Sequence, residues 1–315
     1  MGTPVFAVES LRKLHENNFN IVCVVTAPDK PAGRGQKLKF SEVKEYSLQN
    51  NLKILQPSNL KDESFINELK SLKPDLQIVV AFRMLPKIVW ELPKYRTFNL
   101  HASLLPQYRG AAPINWALIN GERKTGVTTF FIEEQIDTGN IIFQKEVDIQ
   151  KNDNAGTLHD KLMYAGADLV VETVKAIKNN SYNLIPQMVI SKNLSELKTA
   201  PKIFKEDCKI NWNKSLAEIN NFIRGLSPYP AAWTEIVDKE NNTIISIKIF
   251  DCEVFYIDHN FDKMYIETDN KNFLKIFLPE GYISILSIQV SGKKLLKIKD
   301  FLIGYSFINK EFLSF

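Results

Sequence analysis

The chain has 315 residues, 44% of them hydrophobic and 24% charged, with a formal net charge of +4. That length admits one large domain or two ordinary ones, and that balance excludes a disordered chain. No stretch approaches the ~18 consecutive apolar residues of a membrane span, no signal-peptide pattern opens the chain, and Phe6 stands where a myristoylation signal needs Ser or Thr. The expected compartment is therefore the cytoplasm. Cys23, Cys208 and Cys252 lie far apart without metal or redox spacing, and they read as inert core thiols. His15, His159 and His259 likewise lack partners at ligand spacing, so no metal is expected.

Thr3 and Pro4 suit a helix N-cap and first helical position, and Val5, Val8, Leu11 and Leu14 predict an amphipathic helix ending near Asn17. Residues 20–26 form a continuous β-branched run of the kind buried inside a parallel sheet. Next come Lys30, Arg34, Lys37, Lys39 and Lys44, opposed only by Glu42 and interspersed with Pro31, Gly33 and Gly35. Such a loop suits phosphate contact, or it is simply a solvated lysine loop. Helices are predicted around 41–49 and 62–72, buried strands over 75–80 and 97–100, further strands over 126–133 and 140–147, and a long helix over 155–177. Strands alternating with helices indicate a right-handed α/β unit. No GxGxxG follows a predicted strand, so a dinucleotide site is not expected.

From 179 to 206 the chain turns polar and irregular, as a linker would. A short helix is predicted over 216–223 and a turn-rich joint over 227–233. Runs of β character at 243–250, 264–267, 273–277, 282–290 and 294–298 have the spacing of a small barrel. The charge of this half is nearly balanced, with one basic cluster at Lys293, Lys294, Lys297 and Lys299. That cluster is either a nucleic-acid contact or a solvated hairpin.

Asn99 and His101 are two residues apart, so on a strand both project to one face. An amide donor beside an imidazole can polarise a carbonyl and move a proton; the same pair also suits an ordinary polar strand end. The surrounding text, NLHASLLPQYRGAAPINWALINGE from Asn99, with TGVTTFFIEEQIDTG from Thr125 to Gly139, resembles the signature of the folate-dependent formyltransferases. The resemblance implies catalysis by Asn99, His101 and Asp137, contacts to the folate through the backbone of Ser103, Leu104, Leu105 and Pro106, 10-formyltetrahydrofolate as formyl donor, and no metal. It implies an α/β, Rossmann-like formyltransferase domain with a mostly parallel sheet over 1–178, a linker over 179–206, and a C-terminal small, OB-like β-barrel over 207–315 that binds tRNA.

Three further stretches, TAPDKPAGRGQKL from Thr26, RGLSPYPAAW from Arg224 and KDFLIGY from Lys299, are similar to the branch of that family acting on methionyl-tRNA. This implies an initiator methionyl-tRNA partner met by Arg34, Lys37 and Lys39 at its acceptor stem, and a monomeric enzyme of translation initiation. Transfer to an amino sugar nucleotide and tRNA binding without catalysis stay open as alternatives. Two departures stand out. The family carries a hydrophobic strand ahead of its Gly-Thr-Pro, whereas Met1 directly precedes Gly2, so the first strand is expected to be missing and the true start to lie upstream. Phe82 is followed by Arg83 where the family more often has Gly, in a loop expected to approach the pterin.

Overall fold

The computed structural model describes residues 1–32, 37–190, 196–240, 242–261, 264–308 and 310–312. The chain divides into two compact units, one of residues 1–113, 124–148 and 159–200, the other of 114–123, 149–158 and 201–315.

The first unit is a twisted sheet with helices against it. Strands β1 (Val24–Val25) and β2 (Ile54–Leu55) pair in parallel, and β3 (Gln77–Val80) runs parallel to β4 (Thr97–His101). Met1 and Gly2 lie between β1 and β3: Gly2 donates to Val25 O at 3.0 Å, and Val80 donates to Met1 O at 2.9 Å. Beyond β4 the sheet turns antiparallel through β5 (Lys124–Phe131) and β6 (Ile141–Asp148). The strand expected over 20–26 is realised only at Val24–Val25, because a ladder extends only as far as its partners, and β2 is itself two residues long.

The helices follow from their spacing and caps. Helix α1 (Val5–Glu16) buries Phe6, Ala7, Ser10 and Leu14 along one face, and its N-cap is Pro4 rather than Thr3, with no side-chain cap bond. Ser41 caps α2 (Glu42–Gln49) by accepting from Lys44 N, and Asp62 caps α3 (Glu63–Ser71) by accepting from Ser64 N and Phe65 N. The Ser64 hydroxyl, which also donates to Asp62, together with those backbone donors holds the Asp62 carboxyl below the usual range. Phe65, Ile66 and Leu69 of α3 join Val25, Leu55, Val79 and Val89 in one core cluster, each large side chain contributing about 1.5–3 kcal/mol by burial. Helix α4 (Ala155–Asn179) is the long one.

The second unit is a nearly closed antiparallel barrel of β7 (Ala232–Asp238), β8 (Thr243–Tyr256), β9 (Tyr265–Thr268), β10 (Leu274–Leu278) and β11 (Gly281–Val290), in the order β9-β10-β11-β8-β7. Alternation along β7 puts Ala232, Thr234 and Ile236 inward. Helix α5 (Leu216–Leu226), held at its start by a Ser215–Glu218 capping box, buries Leu216, Ile219 and Ile223 in the same core. The strand expected over 294–298 is paired only at Leu296–Lys297, and Ile298 already opens a short helix, α6 (Ile298–Ile303), whose Ile298, Phe301 and Leu302 fill the core. Among the described residues no helix is long and apolar enough to cross a membrane.

Candidate active site

Strand β4 sits inside the sheet with neighbours on both sides, so its end is fixed by two ladders. Phe98 and Leu100 are buried, and Asn99 and His101 alternate with them. His101 is also buried, and its ring is oriented from one side: Nε2 lies 2.9 Å from the Tyr108 carbonyl. A carbonyl only accepts, so Nε2 carries the hydrogen. Nδ1 is left facing Asp137, 3.8 Å from Oδ2. A neutral ring of this tautomer presents a lone pair to the carboxylate, and the contact becomes attractive once the pair takes up a proton. Among the described residues the Asn99 amide has no hydrogen-bond partner in the protein, whereas both ring nitrogens of His101 face one. Asn99 is thus the donor of this pair that is free for an external carbonyl.

Asp137 reaches the site from the turn between β5 and β6, with φ +56°. Its Oδ2 accepts the Gly110 N–H at 3.0 Å. Gly110 itself has φ +124° and pairs, with Arg109, in parallel with Thr199–Ala200; a Cβ there would stand 2.4 Å from Ala200 O. Only glycine meets both demands. Tyr108 N and Ala112 N donate to Lys198 O and Ala200 O at 2.7 and 3.2 Å, so residues 198–200 hold the loop after β4 along its length.

The Ser103–Pro106 loop is bonded to the two strands beneath it and to its own end. The buried Thr128 hydroxyl donates to Ser103 O at 2.6 Å and accepts from Leu105 N at 3.1 Å. Gln144 Nε2 donates to Leu105 O at 2.8 Å and to Thr128 Oγ1 at 2.9 Å, Gln107 N donates to Leu104 O at 3.1 Å, and Ser103 Oγ donates to Gln107 O at 2.7 Å. The loop is therefore tied to β5 through Thr128, to β6 through Gln144 and to its own end through Gln107.

The basic segment is a short hairpin, Lys30–Ala32 against Lys37–Lys39. Arg34 lies outside the described residues, Lys37 is placed by its backbone alone, and the exposed Lys39 pairs with Glu42 at 3.3 Å. Lys44 is engaged with Asp29, which holds that carboxyl below the usual range. The structure thus brings Asn99, His101 and Asp137 to one place beside the loop 103–106. The hairpin joins the sheet at Asp29, whose Oδ1 accepts Gln56 Nε2 at 2.9 Å. Among the described residues no group of three His, Cys, Asp or Glu side chains is gathered to hold a metal ion.

Residues 1–174 match the family described as Formyl transferase, and residues 202–306 match the Formyl transferase C-terminal domain. The chain belongs to the formyl transferase family. It is 54% identical over 305 residues to the methionyl-tRNA formyltransferase of Bacteroides thetaiotaomicron, covering 97% of this chain and 94% of the relative. To the same-named protein of Flavobacterium johnsoniae it is 55% identical, covering 98% and 95%. Among solved structures it resembles a sugar 3N-formyl transferase crystallised in the presence of dTDP and 5-N-formyl-THF, with TM-score 0.62 and 25% identity over 93% of this chain and 97% of the other. An N-formyltransferase from Helicobacter canadensis, in complex with folinic acid and dTDP-3-aminofucose, aligns with TM-score 0.61 and 25% identity over 90% and 96%.

Several residues of the site escape a reading of the sequence. Thr128 and Gln144 look like ordinary strand residues, and Gln187 and Lys198–Ala200 fall in the stretch that reads as a linker. No local signal marks Gln187, whose partners lie far off in the chain at Asp137, Gly139 and Arg109.

Proposed function

We propose that this chain transfers the formyl group of 10-formyltetrahydrofolate to the α-amine of initiator methionyl-tRNA, acting as a cytoplasmic monomer in translation initiation. The similarity that carries this reading is the 54% identity to a methionyl-tRNA formyltransferase over 97% of the chain, with Asn99, His101 and Asp137 gathered at the end of one strand. The sugar formyltransferases share the fold at 25% identity, and the amino sugar alternative is not favoured.

In the reaction the methionyl amine attacks the formyl carbon, and the carbonyl oxygen becomes an oxyanion. The free Asn99 amide donates to it. Collapse then breaks the bond between carbon and folate nitrogen; the amine loses one proton and the leaving nitrogen gains one. His101 and Asp137 hold that proton between Nδ1 and Oδ2, since Nε2–H is committed to Tyr108 O. Positioned proton transfer of this kind is worth about 10²–10⁴-fold. The rigid Ser103–Pro106 loop offers a preformed wall to the folate. Most of its backbone groups already have partners, so shape and the second lone pairs of its carbonyls supply recognition. Residues 1–178 would carry the chemistry and 207–315 the tRNA, with Arg34, Lys37 and Lys39 at the acceptor stem and 179–206 joining the two.

The test is formyl transfer from 10-formyltetrahydrofolate to methionyl-tRNA by wild type and Asn99→Ala. Loss of one oxyanion donor costs about 2.7–4 kcal/mol, so kcat should fall about 10²–10³-fold with little change in KM. Wild-type protein that binds tRNA without transferring formyl would overturn the reading.

A further inference from the structure

Gln187 is a buried amide in a segment otherwise rich in exposed side chains: Met188 and Val189 beside it are 73% and 67% exposed, while Gln187 is 3% exposed. It uses both ends of its amide. Nε2 donates to the backbone carbonyls of Asp137, at 2.8 Å, and Gly139, at 2.9 Å. Oε1 accepts from Arg109 Nε at 3.0 Å and from a terminal guanidinium nitrogen at 2.6 Å. Its own position is set by Ile185, which exchanges two backbone hydrogen bonds with Ile141 at 2.9 and 3.0 Å.

These bonds close a ring. Gln187 grips the backbone of Asp137, the Asp137 carboxylate accepts the Gly110 N–H, and Arg109, next in the chain to Gly110, returns to Gln187. The turn that carries Asp137 needs such a grip. Residues 133–136 are exposed, Asp137 itself has positive φ, and nothing in the sequence of that turn confines its carboxylate. Arg109 matters for a second reason. A guanidinium fork pairs readily with a carboxylate through two parallel N–H bonds. With its Nε and a terminal nitrogen committed to a neutral amide oxygen, that fork is not turned on Asp137.

The geometry points to Gln187 as a positioning residue for the proposed reaction: it holds the Asp137 carboxylate 3.8 Å from His101 Nδ1 and keeps the Arg109 fork off it. A donor and an acceptor on one side chain are both required. Glutamate would keep the acceptor for Arg109 but lose the donor to two carbonyls, and methionine would lose both.

The inference rests on the formyl-transfer reading only for its activity assay, so it is tested in two ways on the full chain. In Gln187→Met, amide hydrogen exchange at Gly110 should accelerate at least about 10-fold, since its acceptor is no longer held. On methionyl-tRNA, Gln187→Met should lower kcat about 10–100-fold while leaving KM within about 3-fold; placed on Asp137→Asn, the same change should cost less than about 3-fold further. Gln187→Glu should show the same faster exchange, and it carries both measurements if the methionine variant does not fold. Equal kcat losses in the two backgrounds, or unchanged exchange at Gly110, would overturn the assignment. Wild type inactive on methionyl-tRNA would count against the acceptor, and exchange at Gly110 would still decide the role of Gln187.

Discussion

Replacing Thr128 by valine tests how the loop beside the proposed catalytic residues is held. The two side chains have nearly the same shape, so the change opens no cavity and removes only a hydroxyl. That hydroxyl is fully buried and serves Ser103 O, Leu105 N and Gln144 Nε2 at 2.6, 3.1 and 2.9 Å. Gln144 keeps its bond to Leu105 O, which leaves the Ser103 carbonyl and the Leu105 N–H without that partner. Each buried polar group so orphaned costs about 1–3 kcal/mol, giving about 2–6 kcal/mol for the two. Against a domain stability of about 5–15 kcal/mol that is a large fraction. At about 2–4 °C per kcal/mol for a unit of this size, the melting temperature should fall about 4–24 °C. Thr128→Ser restores the hydroxyl and should recover most of the loss. In steady-state kinetics the KM for 10-formyltetrahydrofolate should rise at least about 5-fold in the valine variant, with that for tRNA unchanged. A Thr128→Val protein melting within about 2 °C of wild type, with an unchanged folate KM, would refute the reasoning.

Gly110→Ala should lower kcat at least about 10-fold, because the new Cβ would stand 2.4 Å from Ala200 O and the N–H that Asp137 accepts must move; wild-type kinetics in this variant would show that the bond is dispensable. Arg83→Gly removes donors to Pro57 O and Ser58 O, the latter at 2.8 Å, and should raise the folate KM about 2–5-fold with stability changed by less than about 1 kcal/mol. An unchanged folate KM in that variant would disconnect Arg83 from the folate side. Burial, reinforced by Asp251 and Glu253, pushes the Cys252 thiol from 9.0 to about 12, so above pH 9 the unfolded chain releases a proton that the folded chain keeps. That contribution is whole below pH 9 and is lost as pH rises through about 12. The fall in urea midpoint between about pH 8.5 and 10.5 should therefore be smaller in Cys252→Ala than in wild type, and equal falls would refute the linkage.

What the sequence discloses, and what it hides, follows from the range of the interactions. Helices α2, α3 and α5 are legible because their apolar spacing and their caps are local, Ser41, Asp62 and Ser215 each lying one residue before the helix. Helix α1 is legible as a helix but not in its buried face: Val5 is 47% exposed, and Phe6, Ala7 and Ser10 are buried instead. Strand β4 is legible as a strand, and its period places Asn99 and His101 together. Strand β7 is hidden by the Ser-Pro-Tyr-Pro before it, whose turn chemistry extends over a segment that pairs along its whole length with β8. At 294–298 the apolar residues suit strand or helix equally, and packing of Phe301 and Leu302 settles Ile298 as helical. Asp137 has no strand or helix period to betray it and enters only through family resemblance. Gln187 and Thr199–Ala200 are recognised by nothing local at all, since their partners lie at Asp137, Arg109 and Gly110.

The loops that follow β1, β2 and β3 leave the sheet along one edge, the edge where parallel strands place a ligand. They are laced to one another. Gln56 donates to Ala27 O at 2.8 Å and to Asp29 Oδ1 at 2.9 Å, and Arg83 reaches back to Pro57 O and Ser58 O. Glycine at position 83, the residue the family resemblance leads one to expect, would supply no such donors. The arginine instead joins the loop after β3 to the loop after β2, and Gln56 joins that loop to the root of the basic hairpin at Asp29. Asp29 is fixed in turn by Lys44 on α2. A hairpin proposed to grasp RNA is thereby anchored, through side chains rather than through the sheet ladder, to the rim that also carries the β4 loop proposed to meet the folate. Arg83 thus has a structural consequence: it supplies two directional bonds where a glycine would supply none, on the rim proposed to receive the folate.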